Sequence, residues 1–241
     1  MADHWHRNLI EGRAALFAVL TTVMISIGGL VEIGPMFTIQ PPPELDGATP
    51  YTALEVAGRD IYIREGCYLC HSQMVRPMRA ETLRYAAPAG YPNNGEGAWS
   101  HAGEYAYDHP FLLGSRRIGP DLHRVGGKYS DDWHFRHMKN PRDINEASIM
   151  PNYPWLFSQK VDTADIQASL TALSWVGVPY SEEQIASAPA DMKKQGEASV
   201  ARLKEKGFEA AWDDEIVALT AYLQRLGIDR KNALMATGGA K

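Results

Sequence analysis

The longest apolar run lies near the start of the chain. Residues 14–31, AALFAVLTTVMISIGGLV, carry no charge, and at about 1.5 Å per residue they nearly cross a hydrocarbon core of about 30 Å. Continuation past Glu32 to Phe37 completes the span, so residues 14–37 are expected to form a transmembrane helix. The run is longer than the apolar region of a signal peptide, and no small-residue cleavage pattern follows it. An uncleaved anchor is expected. Arg7 and Arg13 precede the span, whereas Glu44, Asp46 and Glu55 follow it, with no Lys or Arg between Gly34 and Gly58. That asymmetry places residues 1–13 in the cytoplasm and the rest of the chain outside it. Glu32 reads as a solvated interface residue, and Thr22, Ser26, Gly28 and Gly29 are small enough to admit a second membrane helix.

Beyond the span the pattern changes. Pro41-Pro42-Pro43 forms a stiff spacer, and residues 38–51 read as a linker. Thr52-Ala53-Leu54-Glu55 has the form of a capping box opening a helix that runs to about Glu65, with Leu54, Ala57, Ile61 and Tyr62 on one face. Gly58 in its middle costs about 1 kcal/mol against alanine, which predicts a closely crossing partner. The matching helix begins at Asp213-Asp214, carries Ile216, Leu219, Leu223 and Leu226, and stops at Gly227. Loops rich in Pro and Gly fill residues 86–127. Ser130 should cap a helix through Lys139, ended by Asn140-Pro141. Residues 163–175 and 189–206 read as two further helices, the second charged and mostly exposed. Strand patterns are scarce and no repeat is evident. The class is all-α, with residues 52–241 as one exported domain.

Composition narrows the partners. A net charge of -5 with no long basic run argues against nucleic acid, and 45% hydrophobic residues exclude disorder throughout. The two cysteines both fall in Cys67-Tyr68-Leu69-Cys70-His71. This C-x-x-C-H spacing puts two thiols where they can add to the vinyl groups of one porphyrin and directs the histidine at its iron. A zinc site would need four ligands, and a thiol redox pair would not need His71. One covalent haem c is expected, held by Cys67 and Cys70, with His71 as an axial ligand.

The sixth ligand decides the chemistry. Met1, Met24 and Met36 lie in or before the span, and Met74 and Met78 are too close to His71 in sequence to reach the opposite haem face. Met150 in Ser148-Ile149-Met150-Pro151 is the leading candidate, because Pro151 restricts it to extended backbone. His123, His134, His137 or an open site are the alternatives. A thioether ligand would raise the potential and fill the last position, which favours electron transfer over catalysis. His71 should donate its other ring N–H to a carbonyl, for which Pro120 is the candidate. Arg76, Arg79, Arg116, Arg117 and Arg124 are candidates for the haem propionates.

With these residues in view, the chain resembles the monohaem cytochrome c subunit (subunit II) of cbb3-type haem–copper oxidases. The matching parts are the N-terminal anchor, residues 65–77 around the haem motif, residues 114–122, Trp133-His134 to Pro141, Ser148 to Pro151, and the last helix, residues 218–223. The resemblance implies a class I cytochrome c domain on a bacterial inner-membrane anchor, with the haem domain periplasmic. It implies Cys67 and Cys70 as thioether bonds and His71 and Met150 as axial ligands. Electrons would come from a dihaem subunit or a soluble cytochrome c and pass to haem b of the catalytic subunit, where oxygen is reduced to water. Residues 72–118 would pack on that subunit. A calcium ion at the subunit interface is also implied, with no residue here to assign to it. The long insertions, before Pro120 and between Tyr153 and Asp213, fit this subunit better than the shorter cytochrome c subunit of a nitric oxide reductase. A haem enzyme or gas sensor and a free-standing anchored shuttle are the remaining alternatives.

Overall fold

The computed structural model describes residues 5–37, 47–84 and 98–236. It divides into two compact units, residues 1–43 and 44–241. The Pro41-Pro42-Pro43 spacer lies outside the described residues. In the first unit, helix α1 spans Ala14–Ile33, and none of its side chains is buried. Its 20 residues give about 30 Å of length, so α1 is long and apolar enough to cross a membrane.

The second unit is helical, with no strand among the described residues beyond one isolated bridge between Lys160 and Asp214. Helix α2, Ala53–Arg64, starts with the expected reciprocal cap. The Thr52 hydroxyl accepts the Glu55 N–H, and the Glu55 carboxylate accepts the Thr52 N–H at 2.8 Å. After α3 (Arg79–Leu83) come α4 (Asp131–Lys139), α5 (Ile166–Trp175), α6 (Glu182–Lys204), α7 (Glu215–Arg225) and α8 (Ile228–Ala236). Helices α2 and α7 form the central crossing, flanked by α4, α5 and α6. Leu54, Ile61, Ile216, Leu219 and Leu223 are buried there, each contributing about 1.5–3 kcal/mol through burial.

Gly58 sits at the crossing. A Cβ at this position would stand 2.0 Å from the Ala218 carbonyl oxygen, so only a hydrogen lets the two backbones approach this closely. Tyr62 and Tyr222 meet edge to face at the same crossing, 5.4 Å between centroids.

Three boundaries differ from the sequence pattern. Helix α6 begins at Glu182, ahead of Pro189, because Ser181 and Gln184 make a second capping box. The buried stripe Ala188, Met192, Gly196, Ser199 and Leu203 then carries the helix through the proline, offsetting a cost of about 3 kcal/mol. Helix α5 begins at Ile166 because the Asp162 carboxylate takes the Ala164 N–H into a preceding turn. After Gly227, at φ +79, the chain resumes as α8. There Asp229 accepts the Thr49 N–H at 2.9 Å, so Thr49 is fixed to the helical unit.

Candidate functional site

Helix α2 delivers the C-x-x-C-H segment. Past Arg64 the chain turns at Gly66, φ +70, into a 3-10 turn over Cys67–Leu69. The His71 N–H closes the turn on the Cys67 carbonyl at 3.0 Å. Arg64 binds Glu215 at the start of α7 and Glu65 beside it, and Glu65 in turn accepts the Trp155 indole N–H at 3.1 Å. The motif therefore sits on a pinned helix end. Cys67 is half-buried and Cys70 exposed, and they form no disulfide. Burial, with the Glu65 charge adding to it, pushes the Cys67 thiol up to about 12. Thiol–disulfide exchange requires a thiolate stabilised near neutral pH. Cys67 is unsuited to it.

His71 is held from two sides. Its Nδ1–H donates to the Pro120 carbonyl at 2.7 Å, which leaves Nε2 as the nitrogen with a free lone pair. The ring lies flat on Gly119, where a Cβ would come within 2.2 Å of Cε1. Burial lowers the His71 pKa, opposed by the Pro120 bond and the Asp121 charge and reinforced by Arg84. The neutral, ligating form is favoured. Gly119 was legible only as the neighbour of Pro120. Nothing in its spacing announces that a ring rests on it.

The segment after the motif is laced to the loop around Pro120. The Gly119 N–H donates to the Cys70 carbonyl at 2.9 Å and the Leu122 N–H to the Ser72 carbonyl at 2.8 Å. Gln73 is buried, exchanging hydrogen bonds with the Tyr222 hydroxyl and accepting Tyr105 OH on its carbonyl.

His123 is buried within a separate network. Its Nδ1 faces Ser100 Oγ and Tyr105 OH, and its ring stacks on Tyr105 at 4.7 Å. Arg124 beside it is fully buried and forks onto Glu104, with both bonds at 2.6 Å, while also donating to the Ala98 and Trp99 carbonyls. Of the five candidate arginines, Arg76 and Arg117 pair with Glu81. Arg79 and Arg116 are exposed.

Helix α4 presents the other two histidines. Trp133 is sandwiched between Tyr129 at 4.0 Å and His137 at 4.6 Å. His134 Nε2 and His137 Nδ1 are buried without hydrogen-bond partners. Burial holds the pKa of His134 down at about 4. It lowers His137 too, helped by the proximity of His71. The loop carrying Met150 is tied back to α4 through the Tyr153 N–H and the Met138 carbonyl at 2.9 Å. Met150 is half-buried against the same core as Cys67 and Tyr68. Among the described residues no group of three or more His, Cys, Asp or Glu side chains forms a metal cage.

Two unpaired thiols three residues apart, an imidazole with one nitrogen tethered and one free, and orphaned buried histidine nitrogens on the neighbouring helix all suit a large planar metal ligand. The donor chemistry fits haem. The family of cytochrome c oxidase mono-heme subunits, FixO, has a model that matches residues 6–230 of the 241. The chain belongs to that family. No curated protein is a significant match to it. As a FixO-family subunit it is part of a cytochrome c oxidase complex, carries one haem, assembles with other oxidase subunits and acts in electron transfer.

Proposed function

We propose that this subunit belongs to a cbb3-type oxidase and relays electrons from a dihaem subunit or soluble cytochrome c to haem b of the catalytic subunit. The haem supplies a one-electron couple at its iron. Cys67 and Cys70 would hold it by thioether bonds, His71 would ligate the iron through Nε2, and Met150 would take the opposite position. The His71–Pro120 hydrogen bond carries this reading, because it fixes the tautomer and ring plane that ligation requires. Helix α1 would anchor the subunit in the inner membrane, with residues 1–13 cytoplasmic, residues 38–51 as linker and the domain from residue 52 periplasmic.

Pyridine haemochrome analysis should find one thioether-linked haem per chain. The Met150→His variant should lose the thioether-to-iron absorption band of the ferric protein. Absence of that band in the wild type would refute Met150 as ligand. Absence of a thioether-linked haem would refute the whole assignment.

A further inference from the structure

We propose that Asp121 and Arg117 form an opposed charge pair that positions the His71 ring and sets the electron affinity of the iron it serves. The inference rests on the reading of His71 as a haem ligand. Asp121 follows Pro120, whose carbonyl holds the ring, and Ser72 follows His71. The Asp121 Oδ2 accepts the Ser72 hydroxyl and the Met74 N–H, both at 2.7 Å, and Oδ1 accepts the His123 N–H at 2.9 Å. Together with the Gly119–Cys70 and Leu122–Ser72 backbone bonds, these lace residues 70–74 to residues 119–123 on both sides of the His71–Pro120 contact. The Asp121 side chain is 7% exposed. Its two oxygens accept three donors, so the side chain is fixed in place between the two segments.

Arg117 covers this carboxylate. Its Nε donates to Ser72 Oγ at 2.7 Å, its Nη2 donates to the Met74 carbonyl, and Nη2 lies 3.8 Å from Asp121 Oδ2. Glu81 holds the guanidinium from the outer side at 2.6 Å. The Pro120 carbonyl that holds the His71 ring is thus followed by a buried carboxylate with a guanidinium 3.8 Å from its Oδ2. Charges at such sites interact more strongly than in water and are screened less by salt. A negative charge near the ligand favours ferric iron, and a positive one favours ferrous iron.

The test is a spectroelectrochemical titration of the full-length, haem-loaded chain in detergent, with the iron–ligand vibrations recorded beside it. Asp121→Asn removes the anion and should raise the potential, shifting the reduction equilibrium severalfold. Arg117→Gln removes the cation and should lower it by a comparable factor. Loosening of the loop would move both variants in one direction, so opposite signs distinguish electrostatic tuning from structural damage. Shifts of the same sign, or none, overturn the proposal. Should Asp121→Asn fail to accumulate, Arg117→Gln decides alone, and a potential that does not fall overturns it. A chain purified without thioether-linked haem would instead refute the ligand assignment beneath it.

Discussion

Alanine at position 58 puts local propensity and tertiary packing in direct conflict. Within an isolated helix, Gly58→Ala should gain about 1 kcal/mol. In the folded domain the added Cβ would stand 2.0 Å from the Ala218 oxygen, 2.6 Å from its carbonyl carbon and 2.9 Å from Tyr222 Cβ. Unstrained carbon contacts begin near 3.5 Å, so α2 and α7 must separate by more than about 1 Å. Backbone atoms cannot rotate aside. Overpacking of this kind costs up to about 3 kcal/mol, and subtracting the propensity gain leaves a loss of about 2 kcal/mol. That is roughly a thirtyfold change in the folding equilibrium. Guanidinium unfolding of the full-length chain in detergent should show the midpoint falling by about 0.5 M, for a denaturant slope of about 4 kcal/mol/M. An unchanged or raised midpoint would refute the crossing, and with it the reason for glycine here.

Other expectations follow from the same packing. Gly119→Ala should displace the His71 ring and weaken its bond to Pro120, costing about 2–3 kcal/mol. Unchanged stability together with unchanged imidazole NMR shifts would contradict the flat contact. Arg124→Met should cost about 3–5 kcal/mol by stranding Glu104, with much of the loss recovered when Glu104→Gln is added. A thermal melt of the single variant within 1 °C of wild type would reject that. His134 has a folded pKa depressed to about 4, below an unfolded value near 6.5. The unfolded chain binds the proton first, so stability is full above about pH 6.5 and declines as pH falls toward 4. His134→Phe should flatten that slope without loss at pH 7, and a slope identical to wild type would exclude His134 as its source.

Much of the fold can be read from local signals. The Thr52 and Glu55 cap, the apolar face of α2 and the stop at Gly227 each depend on residues within one or two turns of each other. Gly58 implied a crossing helix, and α7 supplies it. The start of α6 was hidden because Pro189 is the louder signal, while the Ser181–Gln184 box opens eight residues earlier in polar sequence. Helix α8 follows a glycine stop with little apolar periodicity of its own. At the site, Cys67, Cys70 and His71 declare themselves by spacing. The roles of Gly119, Asp121 and Arg124 do not, because each depends on a partner across the fold rather than on a neighbour in sequence. Arg124 reads as a candidate propionate partner until Glu104 is brought to it.

The half-buried Cys67 sets an order of assembly. Burial, with the Glu65 charge adding to it, raises its pKa above that of an exposed cysteine, so its thiolate is scarce near neutral pH. Under the proposed thioether attachment, bonding to Cys67 is favoured on a chain that has not yet closed α2 against α7, where that thiol is still exposed. A variant that folds too readily before loading would mature poorly even with every ligand intact.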